Sequence, residues 1–318
     1  MHSSRLIALL ALLITAPALA QDSEATFETG SFDTGAPVLA YNLAVVPLFT
    51  RQAPPYEDFT ILEEAQTAKR VSVAEVDRGG QVNQLSVGNQ DKRPLYLLGG
   101  EVVLGGKQDR MVVADTVVDP GQRRLVDVRC VEAGRWNGAD LAFHASAAMA
   151  HPELRRLALF DDQRGVWDEV ARKSSASGVS SATGTYRRVL QDAKVRERIG
   201  HYLDELQRQI PRNERLAGMA VAVNGDLEVV DLFSSPLLYS KLERKLLASY
   251  VLTALERQPG AEQARAQDKK AKALKRKDID DFVKGSGEAG TEKGGRKVFK
   301  HKGSAVHETY FGTGKGKK

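Results

Sequence analysis

The chain has 318 residues, a net charge of +5 and a single cysteine, Cys130. That length allows one substantial domain with its own apolar core, and a lone cysteine excludes any intramolecular disulfide. The charge is uneven, since residues 261–318 hold 16 of the 46 Lys and Arg but only 8 of the 41 Asp and Glu. The basic character therefore belongs to the C-terminal end.

Residues 1–20 read as a signal peptide. Arg5 supplies a positive start, Leu6 to Ile14 an apolar stretch, and Ala18-Leu19-Ala20 a small-residue cleavage signal before Gln21. The apolar stretch falls short of the roughly 20 residues that span a bilayer, and no later segment is apolar enough to do so. The expectation is an exported protein, periplasmic or secreted, without a transmembrane segment after cleavage.

Residues 21–37 are polar and rich in Gly, Thr and Ser, which predicts a flexible lead-in. A single domain is expected over 38–256. Tyr41 to Phe49 reads as a strand ended by Pro54-Pro55, and Thr60-Ile61-Leu62-Glu63 has the spacing of a capping box opening a helix that runs through Ala68. Strands are then predicted at Arg70–Val76, Gln81–Val87, Leu95–Leu104, Met111–Val118 and Leu125–Val131. Asp77-Arg78-Gly79-Gly80 and Asp119-Pro120-Gly121-Gln122 have turn compositions. Cys130 shares a strand face with Val126 and Val128, and core packing is its expected role.

Helical periodicity takes over after Trp136. Pro152–Phe160 and Val166–Lys173 are short helices, and a Ser/Gly-rich loop covers Ser174–Thr183. An apolar stripe from Tyr186 through Leu206 to Ile210 predicts a long helix closed by Pro211. A hairpin follows, with Asn224-Gly225 turning between Met219–Val223 and Leu227–Phe233. Ser235 caps a last helix that begins at Pro236 and buries Leu238, Leu242, Leu246 and Tyr250. The fold class is α+β: an N-terminal antiparallel sheet or sandwich block, then helices, a β-hairpin and a final helix. Residues 257–318 are expected to form a basic, largely disordered tail. Such a tail is either a docking arm for an anionic envelope polymer or nucleic acid, or a solvated extension.

The stretch Gly99-Gly100-Glu101-Val102-Val103-Leu104-Gly105-Gly106-Lys107-Gln108-Asp109-Arg110 concentrates glycines and charges within strand sequence. It is not a phosphate-binding P-loop, because Glu101 stands at the first glycine position and Gln108 where Ser or Thr would hold magnesium. Glu101 is the candidate acid/base or cation ligand. Lys107 and Arg110 suit a phosphate or carboxylate, and Gln108 suits a neutral edge. Arg135 and Trp136 form a possible stacking and cation-binding wall. Asp231 at the end of the hairpin either caps the turn or faces a cleft. Against all of these stands the plainer reading of exposed strand charges and an indole covering a seam. Metal binding has little support, because His144 and His151 are not in an H-E-x-x-H frame.

Four motifs in order carry a family resemblance. They are Gly-Glu-x-x-x-Gly-x-Lys-Gln-x-Arg at 100–110, Cys-Val-Glu-x-Gly-Arg-Trp at 130–136, Val-Trp-Asp-Glu-Val at 166–170, and Asp-Leu-Phe-x-x-Pro at 231–236. Over residues 40 to 256 the chain resembles the ARG and rhodanese-phosphatase-superfamily-associated protein domain, ARG standing for ADP-ribosylglycohydrolase. The family is named for the genomic company of its members. The resemblance implies a link to NAD or ADP-ribose metabolism and carries over Glu101, Lys107, Gln108, Arg110, Arg135 and Trp136. The export signal and basic tail depart from a cytosolic role of that kind.

Two functions follow from the sequence. One is an exported ligand-binding domain for an ADP-ribose-like or other phosphorylated small molecule, with Lys107, Arg110 and Arg135 on the phosphates and Trp136 stacked on a ring. The other is a noncatalytic envelope interaction module with an electrostatic tail. They are separated by whether the segment near 105 folds back onto the arginine–indole corner near 135 to make one recess.

Overall fold

A computed structural model describes residues 31–137, 141–258, 269–286 and 295–312. The proposed signal peptide lies outside them. The fold is α+β and is built around a seven-stranded sheet and a six-stranded one, with a three-stranded sheet beside them.

The six-stranded sheet contains β5 (Val71–Glu75), β6 (Gln84–Asn89), β8 (Glu101–Gly105), β9 (Arg110–Val112), β11 (Arg123–Cys130) and β12 (Phe143–Met149). Its order is β12-β8-β9-β11-β6-β5. An antiparallel bridge between Ala74 and Ala142 returns β5 to the start of β12, reinforced by Glu75 N–H donating to Leu141 O at 2.9 Å. The strands thus close into a small barrel, which removes the exposed edges of an open sheet. Alternation sends Val73, Val87, Val103, Val112, Val126, Val128 and Phe143 inward, where Leu62 and Ala65 of α1 (Leu62–Thr67) complete the packing. The interior is filled, with a residual cavity of about 10 Å³.

The larger sheet contains β1 (Phe32–Thr34), β2 (Val38–Ala40), β3 (Leu43–Thr50), the hairpin β13 (Leu216–Val223) and β14 (Asp226–Phe233), and the C-terminal hairpin β15 (Gly295–His301) and β16 (Ser304–Phe311). All its pairings are antiparallel. One face packs on α5 (Ala193–Gln209) and α6 (Pro236–Glu256). The other is covered by Ile279, Phe282 and Val283 of α7 (Arg276–Gly285). The three-stranded sheet joins β4 (Thr60–Ile61), β7 (Leu95–Leu97) and β10 (Thr116–Val118). Helices α2 (Pro152–Phe160), α3 (Gln163–Ala176) and α4 (Arg187–Gln191) pack against the outside of the barrel through Val102, Met111 and Val131. No helix among the described residues is long and apolar enough to cross a membrane.

Several expectations need correction. The tail is not disordered where it is described: α7 and the β15–β16 hairpin are part of the fold, with β16 pairing along β14 from Phe233 to Val229. Without β16 the strand β14 would be a sheet edge with unpaired backbone groups, and His307, Thr309 and Phe311 share one face of β16. Residues 259–268, 287–294 and 313–318 of that tail lie outside the described residues. The lead-in contains a strand, because Phe32 is buried against the sheet, so the domain extends beyond 38–256 on both sides. Thr60 forms no capping box. It belongs to β4, and Ile61 stands at the N-cap without a side-chain bond. The long strands expected at 95–104 and 111–118 are each two strands, and Asp192 splits the predicted helix by capping α5 through the N–H groups of Lys194 and Val195.

Candidate functional site

The β8–β9 turn lies at one mouth of the barrel and is pressed against β12. A Cβ on Gly105 would come within 2.5 Å of Ala142 O, and one on Gly106 within 2.2 Å of the Phe143 ring. Both residues have positive φ, so only glycine fits here without strain. This close approach turns Lys107, Gln108 and Arg110 toward β5 and the loop after β11.

The turn is clamped by carboxylates. Asp109 is wholly buried; it accepts from Gly105 N–H at 3.1 Å, Thr185 Oγ1 at 2.8 Å and Arg187 Nε at 2.9 Å. Glu132 accepts from Asp109 N–H at 3.1 Å, Arg135 Nε at 2.9 Å and Thr183 Oγ1 at 2.6 Å. Burial pushes the Glu132 carboxyl up, but these bonds outweigh it and hold the group below the usual range. Arg135 donates to Gly106 O at 2.8 Å and Gly105 O at 3.3 Å as well. The segment near 105 therefore does meet the arginine–indole corner. Arg135 itself is committed to that junction, and its expected role on a phosphate is corrected to a positioning one.

Arg110 begins β9, paired with Cys130 on one side and Val103 on the other. Alternation puts its side chain on the inward face above Val112, just as Glu75 lies above Val73 on β5. The two meet at the mouth, with Arg110 Nη2 3.9 Å from Glu75 Oε1, an ion pair beyond hydrogen-bond reach. Arg110 is 0 % exposed. Its Nη1 donates to Gln108 Oε1 at 3.2 Å, while Nε and Nη2 have no hydrogen-bond partner, and neither has Glu75 Oε2. Glu75 Oε1 accepts from the Lys107 backbone N–H at 3.0 Å. Trp136, 45 % exposed, lies over this group, its ring centre 5.5 Å from the Arg110 guanidinium and 5.5 Å from Lys107 Nζ. Lys107 Nζ donates to Gly79 O at 2.6 Å. Cys130, expected in the core, is buried nearby with its Sγ 3.6 Å from Val82 O.

Two predicted site residues are elsewhere. Glu101 starts β8, and the rise of a strand puts it roughly 13 Å from the Gly105 end. It is buried, with Oε1 2.5 Å from Lys245 Nζ and Oε2 accepting from Leu98 N–H at 3.0 Å. Burial pushes its carboxyl up to about 7, Glu63 adding to the rise and Lys245 opposing it. Asp231 faces no cleft. It is held by both terminal nitrogens of Arg155 (3.0 and 2.8 Å), by Tyr250 OH at 2.6 Å and by His307 Nε2 at 3.1 Å. The other His307 nitrogen is 2.5 Å from Asp115 Oδ2, and Phe233 stacks on the imidazole at 4.0 Å. Burial works against the His307 charge, but the two carboxylates overcome it and raise the group to about 9. This network bolts β14, β16, α2 and α6 together.

Sequence reasoning missed Asp109, Glu75 and Asp115, and a second buried relay. In that relay His151 Nδ1 is 2.9 Å from Tyr186 OH and Nε2 is 2.6 Å from Glu169 Oε1. Burial and the Lys173 charge lower His151 to about 4, so it is neutral. Asp109 and Glu169 had a usable signal, their places inside the glycine motif and the Val-Trp-Asp-Glu-Val motif. A separate cleft of about 480 Å³ opens between the 52–59 loop, the start of α6 and the β15–β16 turn, lined by Tyr56, Phe59, Ser235 and Lys302 among others. None of the predicted residues lines it. Among the described residues, no group of three or more His, Cys, Asp and Glu side chains is arranged to hold a metal ion.

Comparison with known proteins gives one match. The family model described as ARPP-1, ARG and Rhodanese-Phosphatase-superfamily-associated Protein domain, matches residues 31–311. No curated protein and no solved structure matches.

Proposed function

From the premise that the chain belongs to the ARG and rhodanese-phosphatase-superfamily-associated protein domain family, we propose that it is an exported binding domain for a phosphorylated, ring-bearing small molecule of the ADP-ribose-like class. The ligand lies at the barrel mouth, a common place for small-molecule sites. Its ring rests on the Trp136 indole, its phosphate meets Lys107, and a polar group reaches Arg110. The supporting observation is the Arg110 guanidinium, wholly buried beneath a half-exposed indole with two nitrogens unpartnered. Buried donors are nearly always bonded, so a pair left open under a surface aromatic marks a place where a ligand completes the bonding.

Binding rather than catalysis is favoured, because Glu101 is at the far end of β8 and engaged by Lys245. The envelope-docking alternative loses ground, since Lys270, Lys277 and Lys302 of the basic end pair with Asp226, Asp281 and Glu57. The test is titration of the mature full-length chain with ADP-ribose, followed by tryptophan emission and by melting temperature. Saturable binding that raises the melting temperature and weakens at least tenfold in Trp136→Ala supports the site. Binding unchanged in Trp136→Ala, or no binding at millimolar ligand, overturns it. Export is checked by the N-terminal sequence of the protein from the envelope fraction, expected to begin at Gln21.

A further inference from the structure

We infer that the group received by Arg110 and Glu75 is a pair of adjacent hydroxyls on a sugar ring, with the phosphate held outside the mouth. This rests on the Trp136 corner being the ligand site and goes further by naming what enters its buried end.

Nε and Nη2 of Arg110 form one edge of the guanidinium, two parallel N–H bonds suited to two oxygen atoms side by side. Nη1, on the other edge, is already held by Gln108. Facing the open edge is Glu75, whose Oε1 is engaged by the Lys107 N–H while Oε2 has no hydrogen bond. A Cβ on Gly80 would come within 3.3 Å of that Oε2, and one on Gly106 within 2.8 Å of Oε1. The glycine backbone thus approaches both oxygens of the carboxylate, Arg110 faces it through Oε1 at 3.9 Å, and Oε2 of the same carboxylate is left without a hydrogen bond. Together these groups offer two donors and one acceptor.

A phosphate or carboxylate supplies two acceptors, but it has no proton for Glu75 Oε2 and meets it with like charge. A carboxamide donates, but it brings a single oxygen to a two-pronged edge. Neighbouring hydroxyls satisfy all three atoms, because each oxygen accepts one N–H and either hydroxyl donates to the carboxylate. The ring that carries them presents its C–H face to Trp136. Lys107, half-buried with its ammonium at the rim, is left for the phosphate. Because Arg110 is covered by the indole, the hydroxyls reach it only when Trp136 turns aside, and its emission reports their entry.

The experiment compares ribose 5-phosphate, 2-deoxyribose 5-phosphate and inorganic phosphate on the mature full-length chain, by Trp136 emission and melting temperature. Ribose 5-phosphate is expected to bind at least tenfold more tightly than the deoxy sugar, as sites built around a hydroxyl reject analogues that lack it. In Arg110→Lys, which loses the two-pronged edge, that ratio is expected to fall below threefold. Equal binding of the two sugars overturns the hydroxyl assignment and leaves the ligand site intact. A wild-type ratio that persists in Arg110→Lys also overturns it. No response to any of the three, with ADP-ribose equally silent, overturns both readings together.

Discussion

Two buried arginines in this protein answer opposite needs. Arg155 presents both terminal nitrogens to Asp231, which also holds His307 and Tyr250, so each charge faces its opposite within hydrogen-bond distance. Arg110 has its nearest carboxylate at 3.9 Å and leaves one edge unbonded. Burial alone does not separate the two, since both side chains are almost completely enclosed. The difference lies in unused bonding capacity. Arg155 leaves only Nε without a partner and holds strands and helices together through both terminal nitrogens, whereas Arg110, open along a whole edge beneath a surface indole, is shaped for something that arrives.

The largest effect is expected at Asp231. Asp231→Ala leaves Arg155 buried without its carboxylate and His307 with Asp115 alone, and an uncompensated buried charge costs about 3–5 kcal/mol. Urea unfolding of wild type and variant measures this, and a loss under about 1 kcal/mol would show that the network does not hold the sheet. The next effect is set by pH. His307 is raised from 6.5 to about 9 in the folded protein, so the folded state holds its proton more tightly than the unfolded one. Its contribution, on the order of 3 kcal/mol, is fully present below about pH 6.5 and is lost as pH rises through about 9. Melting temperature should therefore fall between these limits in wild type, and His307→Gln should flatten that fall.

That network was almost invisible in the sequence. His307 sits in a Gly/Lys-rich stretch whose average composition resembles a solvated tail, although Val306, Tyr310 and Phe311 are buried in the folded sheet. Arg155 reads as one charge on an ordinary amphipathic helix, and nothing local links it to a carboxylate 76 positions away. Barrel closure was hidden for a related reason. Strand β12 is Phe-His-Ala-Ser-Ala-Ala-Met, with none of the β-branched residues that mark strands. By contrast, the α+β class, the Asn224-Gly225 hairpin and the final helix depend on local turn and cap chemistry, and all were legible. The meeting of Arg110 with Trp136 was posed by the sequence as an open question, because paired glycines at 105 and 106 signal a close backbone approach without naming its partner, which is Ala142 and Phe143. Choosing Glu101 and Asp231 as members of the same site failed because a motif lists neighbours in the chain, and a strand separates its two ends.

Replacing each arginine–carboxylate pair by uncharged side chains separates the two roles. Arg110→Met with Glu75→Gln removes two charges that share no hydrogen bond, and stability should stay within about 1 kcal/mol of wild type, while binding of ribose 5-phosphate is lost. The matching change, Arg155→Met with Asp231→Asn, takes away one of the two carboxylates that hold the His307 charge and leaves Tyr250 only an amide, and should cost several times more. Smallest of all is Trp136→Leu. The indole is nearly half exposed, and its contacts with Lys107 and Arg110 are cation–π interactions worth about 0.5–1 kcal/mol at such sites. Denaturant midpoints should therefore barely move. A large loss of stability in Trp136→Leu would mean that the indole seals the barrel mouth as part of the core, and the open edge of Arg110 would then be a packing defect with no ligand to explain it.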